Sequence, residues 1–209
     1  MAVFVIVHGA WSGAHAWRWV RPLLRSAGHE IFTPALTGLG ERSHLVSRQV
    51  DLDMHVQDVV TVLEYEDLRE VVLVGHSYGG MVITGAADRA PERVAQLVYL
   101  DAEAPADGQS EYDLLPPEER SGYEASVRLE GHGWLIPPPL PTPLPGDLDP
   151  TVRWMMERRV PQPAATFEQP LHLTNPQRTG VSRAYVLCTQ GKEGQELPGY
   201  VRQARSDPA

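Results

Sequence analysis

The sequence predicts an α/β protein, with a mostly parallel sheet carrying helices on both faces. Three observations lead there. Short apolar runs rich in β-branched residues alternate with stretches whose apolar positions recur at helical spacing. One run, Val71-Val72-Leu73-Val74, ends in Gly75-His76-Ser77-Tyr78-Gly79 and passes into Met81–Ala87, which reads as a helix. Another, Val3–Val7, ends in His8-Gly9-Ala10-Trp11.

Each element follows from its own residues. Val3-Phe4-Val5-Ile6-Val7 is apolar throughout, as in a strand buried on both faces. Trp17, Val20, Leu23, Leu24 and Ala27 share one helical stripe, closed by Gly28. Ile31-Phe32-Thr33 is a short second strand that Pro34 ends, and the glycines of Thr37–His44 suit turns. Leu52, Val56, Val59, Val60 and Leu63 define an amphipathic helix. Leu97–Leu100 and Ala184–Cys188 complete five strands.

Roughly eighty residues separate the fourth strand from the fifth, too many for an ordinary crossover. We read residues 103–182 as a cap inserted into a single domain spanning 1–209. Its run Leu135–Pro145 excludes helix and central strand, and predicts a stiff polyproline-like segment. Trp134, Trp154, Met155 and Met156 either line the inner face of the cap or pack it onto the core.

Composition narrows the partners. A formal net charge of −9 disfavours nucleic acid and anionic membrane surfaces. The single cysteine, Cys188, excludes an internal disulfide and a multi-cysteine metal site. Within Tyr185-Val186-Leu187-Cys188 it reads as a buried strand residue. The first apolar run lacks a basic leader and breaks at His8, so it reads as a core strand, neither a signal peptide nor a membrane span. A cytoplasmic protein is the expectation.

The order strand, Gly-x-Ser-x-Gly, helix is a nucleophile elbow. Gly75 and Gly79 remove Cβ atoms that would clash across so sharp a turn. The following helix aims unpaired N–H groups and its positive dipole end at the place where an oxyanion forms on substrate. We assign the oxyanion donors to the Ala10 and Tyr78 amides. His8 reads as a strand-end histidine paired with backbone.

His8-Gly9-Ala10-Trp11, Gly28-His29, Thr37-Gly38-Leu39-Gly40-Glu41-Arg42, Asp58-Val59-Val60 and Val74–Met81 together resemble the α/β-hydrolase superfamily, in particular pyrethroid-hydrolase-type carboxylesterases. More distantly the chain is similar to methyl-salicylate esterases and hydroxynitrile lyases. The resemblance is dense through about residue 110, thin across the cap, and returns at Tyr185–Thr189. It implies a cofactor-free, metal-free ester hydrolase with a Ser-acid-His triad. The substrate would be a small hydrophobic or aromatic ester, with Trp11, Trp134 and Trp154 as candidates to contact it. Gly9 stands where the lyases place a substrate-contacting threonine, which argues against cyanohydrin cleavage.

The acid of the triad should follow the fifth strand. Glu193 is the candidate, with Glu196 behind it, unless both are simply solvated loop charges; Asp101, directly after the fourth strand, is the other choice. The family's histidine segment is not found. His15, His76 and His132 have weaker positional arguments, and His172 belongs to the cap. Two expectations follow: a chain lacking a C-terminal strand and helix, with its last strand an open edge able to pair in a homodimer, or a catalytically impaired, ligand-binding relative.

Overall fold

The computed structural model describes residues 1–175 and 180–190. In chain order the strands are β1 (Val3–Val7), β2 (Glu30–Phe32), β3 (Val71–His76), β4 (Val94–Leu100), β5 (Leu135–Ile136), β6 (Gln162–Pro163) and β7 (Ser182–Val186). The helices are α1 (Val20–Ser26), α2 (Leu52–Tyr65), α3 (Gly79–Arg89), α4 (Glu111–Leu114), α5 (Pro117–Leu129), α6 (Pro150–Met156) and α7 (Ala165–Glu168). Five strands form one sheet in the order β2-β1-β3-β4-β7, every pair parallel. The α/β reading holds.

Side-chain alternation along the central strands builds a core on each face. Val5, Val7, Leu73 and Leu97 join α2 and α3 residues such as Val56, Val59, Met81 and Ile83 in the larger cluster. Phe4, Ile6 and Val74 point the other way, against Trp17, Ile31, Val20 and Leu24. The Asp51 side chain caps α2 by accepting the Met54 N–H.

Between β4 and β7 the described residues build four helices, α4–α7, and the two-stranded antiparallel ribbon of β5 and β6. Local signals start these helices. Ser110 and Asp113 form a capping box on α4, and Asp149 caps α6. The insertion is anchored where it leaves and rejoins the core. The Tyr185 hydroxyl donates to the Ala102 carbonyl at 2.9 Å and accepts the Ala102 N–H at 3.1 Å. Asp88 on α3 accepts the Thr174 and Asn175 amides.

Several sequence expectations are corrected. The stripe from Trp17 to Ala27 is not one helix: Ala14–Trp17 is a 3₁₀ turn, and α1 has no fully buried residue. Trp17, Val20 and Leu24 still pack in one cluster, whereas Leu23 is 69% exposed. Gly40–Leu45 is likewise a 3₁₀ segment. The second strand is Glu30–Phe32 and leaves Thr33 outside. Leu135-Ile136, from the proline-rich run, is strand β5. Cys188 is exposed, beyond the end of β7. Among the described residues β7 ends the sheet, so its side chains are half-buried or exposed.

Gly80, on α3, is closely packed against backbone. A Cβ there would lie 1.9 Å from the Glu103 carbonyl oxygen, backbone that cannot yield. Gly122, inside α5, has open space around it. Gly80→Ala should therefore cost about 3 kcal/mol or more, whereas Gly122→Ala should stabilise by about 0.5–1 kcal/mol. Denaturant titration of both variants checks this, and a tolerated Gly80→Ala would contradict the packing.

Candidate active site

Ser77 stands between β3 and α3 with a φ of 53°, in the left-handed region that costs an L-residue about 1–2 kcal/mol. Its neighbours make that turn possible. A Cβ on Gly75 would lie 2.5 Å from the Gly79 carbonyl, and one on Gly79 3.0 Å from the Val7 and His8 carbonyls. Only glycine lets the first turn of α3 sit so close to β3 and β1. On Gly9 a Cβ would fall 3.0 Å from the Ser77 Cβ, so the turn after β1 lies directly against the serine.

That contact lays the turn carrying Ala10 against the serine that precedes Tyr78. Neither amide has a hydrogen-bond acceptor among the described residues. Buried N–H groups are ordinarily paired, so these two, on either side of the contact with the half-buried Ser77, are the candidate donors to an oxyanion. His8 fixes the first of them. Its Nδ1–H donates to the Gly9 carbonyl at 2.9 Å while Nε2 accepts the Leu36 N–H at 3.1 Å, which assigns a neutral ring. Complete burial holds its pKa down to about 4.

The Tyr78 side chain is also locked. It is fully buried, and its hydroxyl donates to His55 Nδ1 at 2.9 Å. His55 Nε2–H donates in turn to the Thr37 carbonyl at 2.9 Å. Burial lowers the His55 pKa to about 4 as well. Thr37 gives its amide and hydroxyl to Asp58, at 2.6 and 2.9 Å, and Arg42 reaches the same carboxylate at 2.7 Å. The Tyr78 ring stacks on Phe167 of α7 at 5.5 Å.

Trp11 ties the oxyanion turn to the cap. Its φ is 58°, again left-handed. Its N–H donates to Gln162 Oε1 at 3.1 Å, its indole N–H to the Ile136 carbonyl at 3.0 Å, and its carbonyl accepts the Val160 N–H at 2.9 Å. Its ring packs on Tyr123 and Phe167.

The other candidates are scattered. Trp134 lies under the Arg48 guanidinium at 5.2 Å. Trp154 contacts Arg158 at 4.1 Å and Arg18 at 5.0 Å, with His15 and Trp19 at its edges. The structure therefore does not gather Trp11, Trp134 and Trp154 into one aromatic cluster. His15 sits 3.7 Å from Glu41, and burial lowers its pKa. His76 packs edge-on to Trp17, while His132 and His172 are exposed. No described histidine is hydrogen-bonded to Ser77. Asp101 has a left-handed φ of 46° and donates its N–H to the Val186 carbonyl. Glu193 and Glu196 lie outside the described residues.

Sequence reasoning missed His55, Gln162, Thr166 and Glu111, all buried. A histidine three residues after Leu52 and four before Val59 falls on the apolar stripe of α2, a signal for a buried polar contact. Glu111 is 2% exposed, and burial, reinforced by Glu103 and Glu119, pushes its carboxyl well above the usual range.

His8 and His55 make stability depend on pH. Their folded pKa values lie below the ordinary 6.5, so the folded state resists protonation. Their contribution is complete above pH 6.5 and is lost as pH falls towards 4, by about 3 kcal/mol per histidine. Urea unfolding at pH 7.5 and 4.5 should show this fall, and His55→Asn should flatten part of it. Equal slopes in both proteins would contradict the assignment.

With this geometry in view, the alpha/beta hydrolase family model matches residues 4–209. The chain is 44% identical over 200 residues to the carbendazim-hydrolyzing esterase of Nocardioides sp. (strain SG-4G), covering 90% of this chain and 80% of that protein. A structure of an extracellular α/β-hydrolase from a Paenibacillus species has a TM-score of 0.76 at 28% identity, covering 88% of this chain and 76% of that one. The pyrethroid hydrolase of Sphingobium faniae JZ-2 has a TM-score of 0.68 at 25% identity, covering 90% and 78%. Methylesterase 1 of Arabidopsis thaliana is 32% identical over 113 residues, and the match spans only 40% of its length. Fold, elbow and family match agree, and the chain belongs to the alpha/beta hydrolase family.

Proposed function

We propose that this chain hydrolyses carboxylic esters with hydrophobic or aromatic groups, through an acyl-enzyme on Ser77. The observation that carries the reading is the meeting of Gly9 with a left-handed Ser77, which puts the turn carrying Ala10 against the serine next to Tyr78. Ser77 Oγ attacks the ester carbonyl carbon while a general base takes its proton. The carbonyl oxygen becomes an oxyanion held by the two amides. When the tetrahedral intermediate collapses, the C–O bond to the alcohol breaks and the base returns the proton to the leaving oxygen. Water then repeats the sequence on the acyl group and frees the carboxylic acid. The base in this reading is a histidine brought to Ser77, with Glu193 as the candidate for the acid that orients it.

The hydrophobic preference rests on the aromatic surroundings of the oxyanion turn, where Trp11, Tyr78, Tyr123 and Phe167 pack together. Similarity to a carbendazim-hydrolyzing esterase and to a pyrethroid hydrolase supports the same class. We keep the cytoplasm as the proposed compartment, on the use of one cysteine in 209 residues.

The test is a fluorophosphonate probe with mass-spectrometric mapping, beside aryl-ester turnover, on the full-length protein. Ser77 should be the labelled residue, and Ser77→Ala should lower turnover to background, a loss of up to about a millionfold in enzymes of this mechanism. His15→Ala should leave labelling unchanged. Unchanged turnover in Ser77→Ala would overturn the reading.

A further inference from the structure

We infer that Gln162 is a positioning residue for the oxyanion hole, so that correct seating of the cap sets the orientation of the Ala10 amide; this rests on the ester-hydrolase reading above. Gln162 belongs to the cap, on β6, and is fully buried. Both ends of its amide are used. Oε1 accepts the Trp11 N–H at 3.1 Å, and Nε2 donates to Thr166 Oγ1 at 2.6 Å. Thr166 donates its own proton to the Pro163 carbonyl at 2.7 Å. The carboxamide therefore has one orientation, with its oxygen towards the oxyanion turn.

The consequence follows from peptide planarity. The Gly9–Ala10 peptide carries the Ala10 N–H, and its carbonyl end is held by His8. The next peptide, Ala10–Trp11, presents the N–H that Gln162 holds. The peptide after it presents the Trp11 carbonyl, which the Val160 N–H holds. Three successive planes are thus fixed, the first from the core and the other two from the cap. Trp11 sits at a φ of 58°, a conformation costing a non-glycine residue about 1–2 kcal/mol. Such a residue persists only where its surroundings over-determine it. Without the Gln162 acceptor, Trp11 can relax towards negative φ, and that rotation moves the adjoining Ala10.

A chemically matched control exists in the same cap. Gln169 accepts the Asp53 N–H at 3.0 Å, again a cap glutamine holding a core backbone amide, but at the start of α2. If Gln162 only fastens the cap, the two substitutions should act alike. If it positions the oxyanion donor, they separate.

The experiment compares Gln162→Met, of similar length but without an acceptor, with Gln169→Met in the full-length protein. We expect Gln162→Met to lower kcat for an aryl ester by about 10- to 100-fold, with KM within about twofold. Affinity for an aryl trifluoromethyl ketone should fall by the same factor, while binding of the product acid holds. Gln169→Met should change none of these. Gln162→Glu, which keeps an acceptor for Trp11, should recover most of kcat. Equal kcat in the two methionine variants, or a loss confined to KM, would overturn the inference. Should Gln162→Met fail to fold, Thr166→Val decides: a severalfold loss of kcat at constant KM supports the inference, and an unchanged kcat overturns it. A Ser77→Ala protein with full activity would remove the underlying reading instead, so the two failures are distinct.

Discussion

The steric closure of the turn at Ser77 is the constraint on which the rest of this structure depends. A left-handed serine at the end of β3 requires the first turn of α3 to fold back against β3 and β1, and only glycine at 75 and 79 leaves room for it. Once that is done, α3 runs through the largest core cluster and its N-terminus is fixed relative to β1. Gly9 then lies against Ser77 because β1 neighbours β3 in register, Val7 opposite Gly75. Strand register and three missing Cβ atoms thus lay the turn carrying Ala10 against the serine next to Tyr78.

A second layer holds that geometry by buried polar contacts. One branch runs from Tyr78 through His55 to Thr37, Asp58 and Arg42; the other runs from Trp11 to Gln162 and Thr166. One begins at Tyr78 and the other at Trp11, next to Ala10; the second is buried, and the first runs out to the half-exposed Arg42. Burial keeps His8 and His55 neutral, so each ring is both donor and acceptor and can join two specific partners. A charged imidazolium would lose its acceptor, breaking the Tyr78 branch at His55 and the Leu36 contact at His8.

Much of the fold was legible because its signals are local. The β-branched run, the Gly-x-Ser-x-Gly turn and the helix after it occupy adjacent positions, and steric arguments about Gly75, Ser77 and Gly79 need no tertiary information. The His8-Gly9-Ala10 turn was legible for the same reason, as was the pairing of His8 with backbone. What escaped depends on contacts across long stretches of chain. Gln162 meets Trp11 across 151 residues, and Trp11 meets Ile136 across 125. Nothing in the proline-rich cap marks such partners in advance. For Trp154 the sequence left two alternatives open, and its contacts with Arg18 and Trp19, outside the cap, agree with packing of the cap onto the core. Cys188 was misplaced because the apolar residues before it suggested a buried strand position, although β7 stops at Val186 and Cys188 is exposed.

The most direct measurement is a crystal structure of the full-length protein after reaction with an aryl phosphonofluoridate. The phosphonyl oxygen should lie about 2.7–3.1 Å from both the Ala10 and the Tyr78 nitrogen, with phosphorus bonded to Ser77 Oγ. A phosphonyl group on another residue, or one on Ser77 whose oxygen turns away from both amides, would contradict the account.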